Sequence, residues 1–227
     1  VLFNSAGQAM TVTSGVVDMN GSDLTIAGAL TIGAAGTVRC KNGTLAYGSL
    51  ANSGTLDCTP STIYWSGAGG NTNWNNSANW VGGVVPGATN TAVFTNAQCG
   101  STCNATINVD PAVDGIRLLS DYTGTITQAS AMTLGSLGWY QVAGNFVGSS
   151  ASQSFNGNFS LLGGTYKSTS GTATYSSNFA VSGTPTFNSN SGLSNFTGGG
   201  SIVISTTATT DLYNVTLAGT NSAFALG

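Results

Sequence analysis

The chain has 227 residues, of which 41% are hydrophobic and only 5% are charged, and its formal net charge is −3. Four basic residues cannot form a phosphate-binding surface, so nucleic acid and anionic membranes are not expected partners. The apolar runs are too short to span a membrane, and the chain has no His, the commonest catalytic base. The remaining residues, rich in Gly and in small polar and β-branched types, are typical of short strands and turns, so we expect almost no helix.

Three segments near the N-terminus share one pattern. Gly15, Gly36 and Gly54 each begin a five-residue segment, and the spacings between them are 21 and 18 residues. A pair of apolar residues follows each segment, and another short apolar run precedes it. The following pairs are Leu24 and Ile26, Leu45 and Tyr47, and Ile63 and Trp65; the preceding runs hold Met10 and Val12, Leu30 and Ile32, and Leu50. Three alternating strands in about twenty residues make one coil of a β-solenoid, so residues 1–63 are predicted to be solenoid coils.

The shared register also predicts which residues stack from coil to coil. Two inward columns and one outward column are expected: Val17, Val38 and Leu56; Met19, Cys40 and Cys58; and Asp18, Arg39 and Asp57. The outward column alternates in charge, which helps to fix the register of neighbouring strands. Stacked coils lie about 4.8 Å apart, and a disulfide needs a Cα separation of roughly 4.4–6.8 Å. Cys40 and Cys58 are therefore predicted to form a disulfide.

Residues 64–122 are predicted to be an irregular module, rich in Trp and Gly, inserted between the coils. It contains Trp74 and Trp80 among many turn-forming residues. Cys99 and Cys103 are close enough in sequence to close a small surface loop as a local disulfide. No metal site and no cofactor are expected, because the chain has no His and the other two Cys pair with each other.

The same module holds the only cluster of charged residues, which are Asp110, Asp114, Arg117 and Asp121. A pair of carboxylates is what some solenoid enzymes use to cut polysaccharides. The favoured interpretation is instead a turn held by an Asp–Arg contact on the way into a strand. We therefore expect that the protein is not an enzyme.

The coil pattern returns in residues 123–227. Phe159 and Phe179 repeat at 20 residues, and Tyr175 and Phe196 repeat at 21. The dipeptides Gly164-Thr165 and Gly183-Thr184 repeat at 19. Aromatic residues at this spacing are predicted to stack in the core of a second set of coils.

Several motifs of the central module resemble those of very large secreted bacterial repeat proteins, of the autotransporter-associated β-strand and filamentous-haemagglutinin-like kinds. The matching motifs are Tyr64-Trp65-Ser66-Gly67, Trp74-Asn75, Ala78-Asn79-Trp80, Gly83-Val84-Val85-Pro86-Gly87 and Thr91-Ala92-Val93-Phe94. The resemblance implies a right-handed parallel β-helix, secretion, and a place outside the cell or on its surface. It carries over no catalytic residue and does not extend to autotransport. Four Cys in plausible pairs agree with an oxidising compartment.

Three functions fit these observations. The first is a structural subunit or repeat of an extracellular bacterial fibre, with copies of itself as partners. The second is an adhesin that binds polysaccharide through exposed aromatic rings, with Trp74 and Trp80 as the main stacking platforms and Trp65, Trp139 and Tyr140 as others. The favoured interpretation of these rings is instead that they plug and seal the solenoid where the irregular segment joins it. The third and most remote is a polysaccharide-cleaving β-helix enzyme.

The two termini suggest how copies would assemble. The sequence begins without an initiator Met or signal peptide, so we interpret it as a processed chain or an excised segment. Both ends are apolar and strand-like, with assembly residues Val1, Leu2 and Phe3 at one end and Phe224 and Leu226 at the other. Neither shows a polar cap, which predicts head-to-tail stacking of coils. Alternatively, the ends are cut sites and the caps lie outside this sequence.

Overall fold

The structure is a computed structural model and describes residues 2–3, 7–19, 22–40, 45–58, 62–100, 103–207, 210–219 and 224–226. The chain is all-β, with parallel strands stacked into a β-solenoid as the sequence predicts. It divides into two units, Val1–Thr62 and Ile63–Gly227.

The N-terminal unit contains five strands, all paired in parallel with the central one. They are β1 (Leu2–Phe3), β2 (Met10–Asp18), β3 (Leu24–Arg39), β4 (Leu45–Asn52) and β5 (Thr55–Asp57). β1 and β2 lie along one edge of β3, and β4 and β5 also pair with β3. Two register shifts bend the stacked strands into successive faces of a coil.

The register predicted for this unit is confirmed. Val38 lies opposite Val17 in β2 and opposite Leu56 in β5. Arg39 likewise lies between Asp18 and Asp57. The inward Val38 is fully buried whereas Arg39 is exposed, so the alternation follows the pleat of the strands.

The glycines that begin the second and third repeats, Gly36 and Gly54, are explained by the close approach of neighbouring coils. Gly36 lies opposite Gly15 in the strand register. A Cβ atom added at Gly36 would lie 2.3 Å from the carbonyl oxygen of Val12, and one at Gly54 would lie 2.2 Å from that of Gly33. Any larger residue would push the stacked backbones apart at this corner.

The second unit carries the remaining strands, which follow one another around successive coils. They are β6 (Thr62–Tyr64), β7 (Thr91–Phe94), β8 (Ala105–Ile107), β9 (Val113–Leu118), β10 (Thr125–Gln128), β11 (Met132–Gln141), β12 (Asn145–Val147), β13 (Gln153–Phe155), β14 (Phe159–Leu161), β15 (Thr165–Lys167), β16 (Thr172–Tyr175), β17 (Phe179–Gly183), β18 (Thr186–Asn188), β19 (Leu193–Phe196), β20 (Ile202–Thr206), β21 (Thr210–Asp211), β22 (Asn214–Leu217) and β23 (Phe224–Leu226). One sheet runs from β8 to β21, and a larger sheet contains β22 and β23.

Two of the predicted repeats in this unit are confirmed and one is wrong. Phe159 lies opposite Phe179, and Tyr175 lies opposite Phe196. Thr165 pairs with Thr186 and not with Thr184. The reason is that β17 continues as far as Gly183, so the next strand starts two residues later than the dipeptide repeat suggests.

The core of this unit consists of aromatic columns. The rings of Phe155 and Tyr175 stack with centroids 5.0 Å apart, and those of Tyr175 and Phe196 are also 5.0 Å apart. Phe159 and Phe179 stack in the same way, with centroids 5.0 Å apart. These rings are buried, which confirms the predicted aromatic core.

The irregular part of the chain is shorter than predicted. It covers residues 66–90, because the strands from Thr91 onward already stack with β9, β10 and β11 and no unit boundary falls at residue 122. Ile63 and Trp65 belong to the second unit, in which β6 pairs with β7.

The helices in the described residues are a 3₁₀ helix at Ser77–Asn79 and one α-helix, α1 (Asn96–Cys99). Neither is long or apolar enough to cross a membrane.

Candidate assembly surfaces and the predicted site residues

The last coil of the second unit leaves apolar side chains uncovered. In the pairing of β22 with β19, Val215 lies opposite the buried Ser194. Leu217 lies opposite the buried Phe196. Val215 and Leu217 therefore occupy the next places in two inward columns, yet they are 44% and 54% exposed. Among the described residues β22 pairs on one side only, so this end also offers an unpaired strand edge.

The first coil of the N-terminal unit carries a cavity of about 270 Å³. Its apolar lining consists of Met10, Val17, Met19 and Leu24. The acidic residues Asp18 and Asp23 and the polar residue Ser22 complete the wall. All four apolar residues belong to the smaller hydrophobic core of this unit or pack against it. Within the described part of the chain, β2 pairs only with β3. This coil end therefore offers an open strand edge and an apolar depression.

Comparisons with models of protein families, with curated proteins and with solved structures find no match to this chain.

The alternative in which Trp74 and Trp80 are exposed stacking platforms is wrong. Their side chains are 0% and 2% exposed. The Trp80 ring packs edge-on against Trp74 and Trp65, with centroids 4.6 and 4.9 Å away, and its Nε1 donates to the Trp74 carbonyl oxygen at 2.7 Å. Trp65 and Trp139 are buried as well. The indoles form the core under the irregular segment because their apolar area is too large to leave in water.

A residue that the sequence reasoning overlooked, Asn79, holds this segment together. Its side-chain amide donates to the Asn73 carbonyl oxygen at 2.9 Å and to Asn71 Oδ1 at 3.2 Å. Its Oδ1 accepts from the Gly69 backbone N–H at 2.8 Å. Asn79 is fully buried, so the Asn-rich motif next to the tryptophans has a structural purpose in this fold.

Two carboxylates of the charged cluster bind the next coil. Asp110 accepts from the backbone N–H and hydroxyl of Thr133, both at 3.0 Å. Asp114 accepts from the backbone N–H and hydroxyl of Ser136 at 2.7 and 2.9 Å. Thr133 and Ser136 both belong to β11, so these contacts tie β9 and the loop before it to the following coil.

The expected Asp–Arg contact is replaced by an aromatic one. Arg117 lies over the ring of the half-buried Tyr140, 5.3 Å from its centroid. The remaining carboxylate, Asp121, accepts from the Thr95 hydroxyl at 2.6 Å and from the Ala97 backbone N–H at 3.1 Å. The hydrogen bond from Thr95 is the main cause that lowers the pKa of Asp121.

Both predicted disulfides are present. Cys40 pairs with Cys58 at a Cα separation of 4.6 Å, and Cys99 pairs with Cys103 at 5.0 Å. The first joins neighbouring coils of the N-terminal unit, as its register requires.

A buried polar network inside the second unit was not predicted. Gln153 Nε2 donates to Gln128 Oε1 at 2.7 Å. Gln153 Oε1 accepts from the hydroxyls of Tyr166 at 2.9 Å and Ser168 at 3.2 Å. All four side chains are buried, and burial raises the pKa of Tyr166, which stays a neutral donor. The Gln residues gave no signal in the sequence, because a polar residue at an inward position reads as a break in the apolar alternation.

The predicted assembly residues at the termini are only partly described. Val1 lies outside the described residues. Leu2–Phe3 and Phe224–Leu226 are strands, paired with β3 and β20 respectively. Their part in assembly stays a prediction.

Proposed function

We propose that this protein is a structural subunit or repeat of an extracellular bacterial filament, in which the coils of one copy stack head to tail on those of the next. The observation that carries the proposal is the exposure of Val215 and Leu217, two inward residues of a coil over which no described strand lies. Exposed apolar side chains and an unpaired strand edge on the same coil are what another coil would satisfy.

The other end of the chain offers a fitting counterpart. The first coil of the N-terminal unit has an open strand edge and an apolar depression lined by Met10 and Leu24. An end that joins to a different end makes a heterologous contact, which does not close on itself and therefore extends into a filament. The low charge of the chain removes the repulsion between copies that would oppose stacking.

The location outside the cell is supported by the two disulfides, which persist in oxidising compartments. The bacterial origin rests on the motif resemblance of the central module. A structural role also agrees with the use of the aromatic residues and carboxylates described above, which pack the core and tie neighbouring coils together.

The experiment compares the purified protein with two variants by negative-stain microscopy and light scattering over a range of concentrations. Leu217→Arg places a charge in the uncovered column of the last coil. Leu137→Arg makes the same change at a side chain that is 45% exposed on a side of the solenoid. We expect filaments from the unchanged protein and from Leu137→Arg, and none from Leu217→Arg. A protein that stays monomeric at high concentration, or filaments that persist in Leu217→Arg, would overturn the proposal.

A further inference from the structure

We propose that a second copy completes the last coil in one defined register, in which β22 of one copy pairs with β2 of the next and Thr216 lies beside Thr11. This inference rests on the proposed function and specifies the contact through which copies would join. In this register Leu217 covers Val12, and Val215 covers Met10 at the edge of the apolar cavity.

The inward and outward alternation supports this pairing. In β22 the inward positions are Val215 and Leu217, with Thr216 between them pointing outward. In β2 the inward Val12 is buried, and Thr11 before it is exposed. A shift of one residue would turn every inward side chain of the incoming strand toward solvent. The register can therefore move only in steps of two.

The positions of the coil corners select one of the registers that differ by two residues. Leu217 continues the column of Tyr175 and Phe196, and these residues end the strands β16, β19 and β22 that precede a corner. In the N-terminal unit a register shift, which marks a corner of the coil, comes directly after Val12. Matching corner to corner places Leu217 on Val12 and hence Thr216 next to Thr11.

The outward column along this face is chemically continuous in the same register. In the second unit it consists of small uncharged polar residues that pair successively across five strands: Thr133, Ser154, Thr174, Asn195 and Thr216. In the N-terminal unit Thr11 pairs with Thr31. Placing Thr216 beside Thr11 joins the two columns through a Thr–Thr pair, a favourable cross-strand neighbour.

The cavity next to this edge would be closed by the same contact. Met10 and Val17 line it and are only partly buried in the isolated chain. An incoming coil with Val215 above Met10 brings apolar side chains over these residues and removes their remaining surface from water. The same contact would therefore pair the open strand edge, cover the apolar column and close the cavity.

The test is site-specific cross-linking. In the variant Thr11→Cys with Thr216→Cys, the paired Cα atoms would fall within the roughly 4.4–6.8 Å that a disulfide tolerates. In the matched variant Thr13→Cys with Thr216→Cys, the partner is shifted by two residues, about 6.6 Å along the strand, and lies out of reach. The four native Cys are already paired, so new bonds can be assigned by peptide mass mapping.

We expect a ladder of covalent oligomers from the first variant under mild oxidation. The matched variant and Thr216→Cys alone should give no ladder. Filaments that are cross-linked only by the shifted pair would refute the register while leaving the proposed function standing. Filaments that neither pair cross-links would refute the proposed register and the register shifted by two residues toward Thr13. An absence of both filaments and ladders in every variant would overturn the inference and the proposed function together.

Discussion

Replacing Gln153 by Met tests whether the buried polar network stabilises the second unit. Met has nearly the same length as Gln but can neither donate nor accept the bonds that Gln153 makes. The change removes the donor to Gln128 Oε1 and the acceptor of the Tyr166 hydroxyl. The Ser168 hydroxyl can instead turn toward Tyr175, whose buried hydroxyl has no other hydrogen-bond partner.

Two buried groups therefore lose their partner in the Gln153→Met variant. An orphaned buried polar group costs about 1–3 kcal/mol, so we expect the free energy of unfolding to fall by about 2–6 kcal/mol. In the unchanged protein, Tyr166→Phe should cost about 1 kcal/mol, the net value of one hydrogen bond. In the Gln153→Met background the same substitution removes an orphaned hydroxyl, so it should be stabilising.

The assay is urea unfolding followed by tryptophan fluorescence. The four Trp residues of the chain, at positions 65, 74, 80 and 139, all lie in the second unit, so the signal reports on that unit. Gln98→Met, at an exposed position of α1, controls for the chemical change and should stay within about 0.5 kcal/mol. If Tyr166→Phe costs the same in both backgrounds, the two side chains are not coupled and the reasoning is refuted.

Two further predictions concern charged groups. Arg39→Asp places a third acidic side chain in one outward column with Asp18 and Asp57, so the melting temperature should drop. The loss in the free energy of unfolding should be on the order of 1 kcal/mol or less, because solvent screens charges near the surface. An unchanged melting temperature at low salt would argue against the stabilising role of this charged column. Thr95→Val removes the hydroxyl that lowers the pKa of Asp121, so that pKa should rise toward its ordinary value in an NMR titration, and an unmoved titration would refute the assignment. A lowered carboxylate pKa stabilises the folded state at pH above the ordinary pKa, and this contribution is lost as the pH falls through the lowered pKa. Thr95→Val should therefore be less stable than the unchanged protein above the ordinary pKa of Asp, and the difference should shrink as the pH falls.

Local pattern was enough to predict much of this fold. Side chains alternate between inward and outward along a strand, and a solenoid repeats the same coil. Each inward residue is therefore predicted both by its place in its own strand and by the equivalent residue of the neighbouring coil. Val38 and Arg39 could be placed in their columns, and Cys40 could be paired with Cys58, from spacing alone. Residue type and spacing can both be read from the sequence without knowledge of the fold.

The tertiary structure decided what depends on neighbours that are distant in sequence. Residue type alone does not distinguish a tryptophan that binds a ligand from one that fills a core. Trp74 and Trp80 are buried because residues 66–90 fold over Phe94. The network around Gln153 exists because three coils bring its partners together. The exposure of Leu217 also depends on the tertiary structure. Leu217 continues a buried column and is exposed because no described strand lies beyond it.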